Sequence, residues 1–445
     1  MKWKLKKHIS NPCGEVKTSE PYLSGAALAG NLLYLSGQNG CDAKTGAIAP
    51  DDFAAQLASS LNNVSILLDR AGSTFANVVK LYIMLTRAAD YAQLGRLLED
   101  YFHSHAPSLI TQPPVITVMP VKTLGHPHSL IEVDAHAVLN TGEQGYEVTR
   151  YPKQSRLPGT LPTSEAVTVG NLVYLPAFCG ASPQTGKIES DSFETQMDIA
   201  FDKIIKALDK AGSSASNLIK TLHMQAGLEN FLERGRDPNV SGSPASDRLW
   251  KRELEHFDMY APYLMEEFPA STFLKLPALP LAGAQVQLDY IGVLDRYRKG
   301  WEVRNYPLYL GRRGFPRHAG DIKKFYSNTV VIGGIINISG QTATDPYTAR
   351  IESDDFEEQV KTALDGMRSA LEETGSTLAN LVKTYVLLPD PETGDAFRRI
   401  ERDYYRKYAP ALVEQPPAST VIHPLSLAST KMKIEIDAIG FLPRQ

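Results

Sequence analysis

Apolar and polar positions along the chain follow one pattern that is written three times. In its first copy an apolar, β-rich run, Leu32 to Leu35, leads through a Thr-Gly turn at Thr45 and Gly46 to a helix start carrying Asp51 and Asp52. Acidic residues at that point cap free amides and suit the helix dipole. Phe53, Leu57, Val64, Leu67 and Leu68 then recur at helical spacing on one face. Gly72 stands where a helix would end on a residue of positive φ. The β-branched, apolar run from Asn77 to Leu85 predicts a strand. A second helix is expected around Tyr91 to His105, then a strand after Pro113 and Pro114 and another over Ser129 to Leu139. The order β-β-α-β-α-β-β predicts an α+β domain with its helices on one sheet face.

The copies align without gaps over "DDFAAQLASSLNNVSILLDRAGSTFANVVKLYIML" from Asp51, "DSFETQMDIAFDKIIKALDKAGSSASNLIKTLHMQ" from Asp191 and "DDFEEQVKTALDGMRSALEETGSTLANLVKTYVLL" from Asp354. A Gln (Gln56, Gln196, Gln359) and a Gly (Gly72, Gly212, Gly375) keep the same register. Repeats of this length are whole domains rather than solenoid turns, and 445 residues suit about three of them. The expected domains are residues 1–140, 141–295 and 296–445. Linkers are expected from Asn140 to Pro162 and from Asp295 to Gly320, the second basic (Arg296, Arg298, Lys299, Arg304, Arg312, Arg313, Arg317). The middle copy carries extra residues in "RGRDPNVSGSPASDRLW", Arg234 to Trp250, whose Gly, Pro, Ser and Asp suit a surface loop.

Composition narrows the class. With 43% apolar residues, 22% charged and a net charge of −4, the chain reads as a globular protein and argues against a nucleic-acid partner. The basic start lacks the apolar run of a signal peptide, and no 18-residue apolar stretch suggests a membrane. Cys13, Cys41 and Cys179 show no metal-ligand or CxxC spacing, so a reduced, cytoplasmic protein is expected. His103 with His105, and His126 with His128, are pairs without a third ligand, so no metal and no cofactor are expected. Cys41 and Cys179 read as core or loop thiols.

The stretches "PYLSGAALAGNLLYLSGQ", "DRAGSTFANVVK" and "IEVDA", together with the "D…F…Q" helix, resemble the Rid/YjgF family of reactive enamine/imine intermediate deaminases. The resemblance covers essentially all three copies. It implies small chorismate-mutase-like α+β domains with a ligand pocket at each junction between neighbours. For this chain it implies three tandem domains that form an intramolecular pseudo-trimer, a monomer or a dimer of such pseudo-trimers, acting on a small-molecule substrate.

Carried over residue by residue, the resemblance implies Glu132 and Glu435 as catalytic proton shuttles, with Gln287 at that place in the middle copy. It implies Tyr22, Ser36, Tyr326 and Ser339 as substrate-binding groups, where the middle copy has Thr163 and Pro176. The family's signature Arg is missing: its place holds Ile116, Ser271 and Ser419, each 16 residues before the Glu position. Ser419 and Thr420 offer hydroxyls there, and His423 lies just beyond. The Asn of the second helix is replaced by Gly95, Gly235 and Arg398. Arg398 and the linker arginines Arg312, Arg313 and Arg317 could stand in for the missing Arg, but read first as solvated surface charges. The leading expectation is a deaminase or related hydrolase acting on an imine, enamine or amide-like molecule. The alternatives are a non-catalytic ligand-binding or scaffold protein and, less favoured, an endoribonuclease. The junction of copies one and three is the one built wholly from intact motifs, and Glu435 is expected to face it; the pocket built on Gln287 is expected to be inert.

Overall fold

A computed structural model describes residues 5–9, 22–140, 145–153, 160–226, 244–307, 326–345 and 350–443. Unit one comprises β1 (Leu5–Ile9), β2 (Ala26–Ala29), β3 (Leu32–Leu35), β4 (Gln38–Asn39), α1 (Phe53–Ala71), β5 (Val78–Leu85), α2 (Tyr91–His105), β6 (Val115–Pro120) and β7 (Ile131–Val138). Its strands run in the order β1-β2-β3-β7-β5-β6. Unit two repeats this with β8 (Val148–Pro152), β9 (Ser164–Val169), β10 (Leu172–Tyr174), β11 (Phe178–Cys179), α3 (Phe193–Lys210), β12 (Leu218–Ala226), α4 (Pro244–Tyr260), β13 (Ala270–Leu276) and β14 (Val286–Val293). Unit three has β15 (Val303–Pro307), β16 (Ser327–Ile332), β17 (Ile335–Thr342), α5 (Phe356–Glu373), β18 (Leu381–Leu387), α6 (Gly394–Tyr408), β19 (Ala418–Ile422) and β20 (Glu435–Phe441). The fold is α+β, as the pattern predicts.

The repeated residues earn their recurrence structurally. Asp52, Ser192 and Asp355 cap the first long helix of each unit, accepting from the amides of Ala55, Thr195 and Glu358. Gly72, Gly212 and Gly375 follow those helices at φ of 82°, 77° and 84°, a region that disfavours any side chain. Gln56 donates to the carbonyls of Ala49 and His128 and accepts from Leu130 N, tying α1 to the approach of β7. Gln196 and Gln359 make the same three bonds in their units.

Two segments read as linker contain strands. β8 and β15 are edge strands with half-exposed side chains that end on Pro152 and Pro307, too short and too weakly patterned to be seen in the sequence. Part of the extra segment of unit two is also helical, since α4 begins at Pro244; residues 227–243, and Arg312, Arg313 and Arg317, lie outside the described residues.

Three equivalent splices close the units into a ring. Ser164 N donates to Pro114 O at 3.0 Å, Ser327 N to Pro269 O at 2.9 Å and Ser24 N to Pro417 O at 3.0 Å, so each unit's last edge strand meets the next unit's sheet. The hydroxyls of the same serines donate to the carbonyls of Pro113, Phe268 and Pro416. Each unit keeps its own sheet–helix core. Two further apolar clusters draw on all three units: Tyr34, Val79, Val167, Ile219, Val330 and Val382 belong to one, Met84, Met224 and Leu387 to the other.

The centre also holds three buried ion pairs, each between neighbouring units. Lys80 reaches Asp289 at 2.7 Å, Lys220 reaches Asp437 at 2.6 Å and Lys383 reaches Asp134 at 2.5 Å. Each ammonium also donates to a carbonyl of the neighbour, of Leu175, Ile338 and Leu35. Each aspartate accepts from a threonine, Thr117, Thr272 and Thr420. Full pairing of this kind is what makes a desolvated charge tolerable.

Candidate functional site at the unit junctions

Each junction sets the last strand of one unit, which carries the Glu position, against the edge strand of the unit before it. Between units three and one, Glu132 on β7 faces α6 and β19. Its Oε1 lies 1.8 Å from where a Cβ on Gly37 would be, so the glycine of "SGQ" makes room for the carboxyl. Burial raises the Glu132 pKa to about 7; Asp134 adds to the rise, while Lys383 and Arg398 oppose it. Arg398 is not a solvated surface charge. Its side chain is 15% exposed, and it donates to Glu401 at 2.7 Å and to Ser419 Oγ at 3.0 Å. It thus reaches the very position at which the sequence lacks the family's Arg.

Several groups expected to bind substrate are occupied by the protein itself. Ser36 Oγ donates to Ser24 O and accepts from Ser419 N across the junction; Ser339 Oγ does the same with Ser327 O and Ser271 N. Thr420 Oγ1 donates to Asp134 and accepts from Gly37 N and Lys383 Nζ. These hydroxyls position strands rather than project into a pocket. Tyr22 and Tyr326 are not equivalent, because Tyr22 lies two residues before the splice serine Ser24 and Tyr326 one before Ser327. Tyr22 is 49% exposed, with the Arg402 guanidinium over its ring.

Between units two and three, Glu435 faces Gly340 in the same 1.8 Å relationship. Burial and Asp437 raise its pKa to about 8, against Lys220 and the Phe273 amide. Glu435 therefore does not face the junction of units one and three; the direction of the ring gives that place to Glu132. Tyr326 sits near Glu435, and burial together with that carboxyl pushes its phenol up to about 12. No arginine corresponds to Arg398 here. Arg398 lies 10 residues before the end of α6 (408 − 398), and the residue 10 before the end of α4 (260 − 250) is Trp250, not Gly235. The extra residues precede α4 and shift the register. Trp250 packs edge-on to His223 and near Tyr326. His223 in turn joins Glu253 at 2.7 Å and Ser271 Oγ at 3.3 Å.

Between units one and two no carboxyl takes the Glu position. Gln287 donates to Val118 O, and Thr163 Oγ1 takes the Ile116 amide where Ser36 and Ser339 take theirs. Ala177 replaces the glycine. Elsewhere, His423 Nδ1 is bound to Leu388 O, and His105 stacks on Tyr101. Cys41 is disulfide-bonded, against the expectation of reduced thiols, and Cys179 is free. Among the described residues no group of three or more His, Cys, Asp or Glu could hold a metal, and no helix is long and apolar enough to cross a membrane.

The profile of the Endoribonuclease L-PSP family matches the chain three times, over residues 14–139, 154–236 and 318–441. The chain belongs to this family. Among its relatives, bovine 2-iminobutanoate/2-iminopropanoate deaminase is 34% identical over 88 residues, which is 20% of this chain and 64% of that protein. A RutC family protein of Pyrococcus horikoshii is 33% identical over 90 residues, 20% of this chain and 71% of its own length. The solved YjgF gene product of E. coli aligns over all of its length and 30% of this chain, at 28% identity and a TM-score of 0.27.

Within this L-PSP chain the three family domains have diverged by junction. Ser, Gly and Glu of the motif are lost together in the middle unit (Pro176, Ala177, Gln287), as their contacts require. The lysine of "VVK" and the aspartate of "IEVDA" prove to be the buried pairs of the centre, a role that no single copy of the sequence reveals because each pair spans two copies.

Proposed function

We propose that this protein hydrolyses a small imine or enamine bearing a carboxylate, at the junction between units three and one. The observation that carries the reading is Glu132 facing Arg398 across that junction, with a carboxyl pKa of about 7. A group that gains and loses its proton near neutrality is best matched to general acid–base work. Glu132 gives its proton to the imine nitrogen, water adds to the carbon, and the carboxylate takes a proton from the adding water. Collapse of the carbinolamine then releases ammonia and leaves the carbonyl. Arg398 offers a planar fork to the substrate carboxylate; two of its five N–H groups are accounted for by Glu401 and Ser419. The deaminase name of the bovine relative supports the reading.

The test is turnover of an imino acid generated in situ by an amino-acid oxidase. Glu132→Gln is expected to lose about 10²–10⁴-fold in rate, and Arg398→Ala to raise KM for the imino acid but not for its uncharged amide. An unchanged rate in folded Glu132→Gln would overturn the assignment.

A further inference from the structure

Where the three units meet there is a cavity of about 50 Å³, several times the roughly 10–15 Å³ that admits one water. Tyr82, His136, Leu222, Asn337, Tyr385 and Ile439 stand in its wall. In a ring of identical chains every such residue would occur three times. Here the fused units differ. His136 pairs in register with Lys80, while Ile291 and Ile439 take the same place opposite Lys220 and Lys383. The cavity therefore receives one imidazole rather than three.

That imidazole is boxed by aromatic rings. Tyr34, Tyr82 and Tyr174 lie 4.8, 5.6 and 5.9 Å away between ring centroids, and Tyr385 OH is 2.8 Å from Nε2. His136 is 2% exposed, and its Nδ1 is buried without a hydrogen-bond partner. A buried polar atom left in this way favours any molecule that can complete it. Burial, with Lys383 and Lys80 nearby, holds the ring neutral. The rest of the wall is mainly apolar, with Met119, Leu274, Leu387 and Ile422. Thr272 and the charged groups Lys220, Asp437 and Asp289 also line it, but each charge is already paired, Lys220 with Asp437 and Asp289 with Lys80, so the wall offers no free counter-ion. A charged guest would lose its hydration there and gain no counter-ion.

We propose that this central cavity is a binding site separate from the junctions, for a small uncharged molecule with an apolar body and one hydrogen-bonding group seated on His136 Nδ1. At about 50 Å³ the cavity is a third of the roughly 150 Å³ that holds benzene, so the guest has about two or three heavy atoms. Methanol is a suitable probe, added to the full-length chain labelled with ¹⁵N-histidine. The Nδ1 resonance of His136 is expected to shift saturably with methanol. His136→Ile, which installs the residue already present at 291 and 439, is expected to weaken methanol binding at least tenfold. Glu132→Gln is expected to leave it unchanged, which keeps this test apart from that of the junction site. Absence of a saturable, methanol-dependent Nδ1 shift in the native chain overturns the proposal even if the isoleucine variant does not fold. So does methanol binding that survives His136→Ile, or that disappears in Glu132→Gln.

Discussion

The carboxyl of Glu132 occupies the space that a side chain on residue 37 would need: its Oε1 is 1.8 Å from the ideal Cβ position of Gly37. Catalytic candidate and glycine are therefore one feature, and the middle unit, with Ala177 and Gln287, has given up both. Gly37→Ala should displace Glu132. Activity is expected to fall about 10²–10⁴-fold, as in Glu132→Gln, with an overpacking cost of about 1–3 kcal/mol in urea unfolding. Full activity in Gly37→Ala would mean that Glu132 takes no part in the chemistry.

The two glutamates should behave differently. Glu132 faces Arg398, whereas Glu435 has Trp250 at the equivalent helix position and so, among the described residues, no guanidinium in that place. Glu435→Gln is expected to keep imino-acid turnover within about threefold of the native rate, against a general acid–base loss of 10² or more for Glu132→Gln. The reverse ranking, measured as kcat/KM, would move the site to the junction of units two and three.

The pH profile follows from the direction of the shifts. Glu132 must carry its proton to give it to the imine nitrogen, so kcat/KM is expected to fall as pH rises through about 7. Glu132→Gln should lose that limb. Stability moves the same way. Both folded pKa values, about 7 for Glu132 and about 8 for Glu435, lie above the ordinary glutamate value of 4.5. The protonated carboxyls thus favour the folded state, and that contribution is lost as pH climbs from 4.5 to 8. Urea midpoints of Glu435→Gln should depend less on pH across that window than those of the native chain.

Much of the fold is legible in the sequence because the repeated signals are local. The caps at Asp52 and Asp355, the positive-φ glycines and the apolar helix faces each act within a few residues. The site is less legible because it is assembled across units. That Glu132 rather than Glu435 faces the junction of units one and three depends on the direction of the ring, which no local pattern encodes. Trp250 was hidden behind the extra residues of unit two, although counting back from the end of α4 finds it. Lys383 and Asp134 are 249 residues apart in the chain, so neither could be read as half of a pair.

That pair offers a stability test. Lys383 and Asp134 are both fully buried, and removing one partner strands a desolvated charge. Lys383→Met is expected to cost about 3–5 kcal/mol, whereas Lys383→Met combined with Asp134→Leu should cost markedly less, since an apolar replacement of a whole buried pair is often neutral. Additive losses in the double-mutant cycle would mean that the two residues act independently.

The last prediction concerns assembly. The splices at Ser24, Ser164 and Ser327 use up the edge of each unit's sheet, and the two central clusters bury apolar side chains from all three units. A chain that closes its own ring has, among the described residues, none of these three splice edges left to offer a second copy, and its remaining edges are the short strands β1, β8 and β15. Light scattering of the full chain is expected to give a monomer, or a dimer of rings formed through the outer surface, with a mass independent of Lys383 and Asp134 while the variants stay folded. A ring opened at Ser24, by Ser24→Pro, loses the amide that bonds Pro417 O and exposes both edges at once. That variant is expected to associate further as concentration rises. An obligate trimer of the native chain would show that the splices do not close within one molecule.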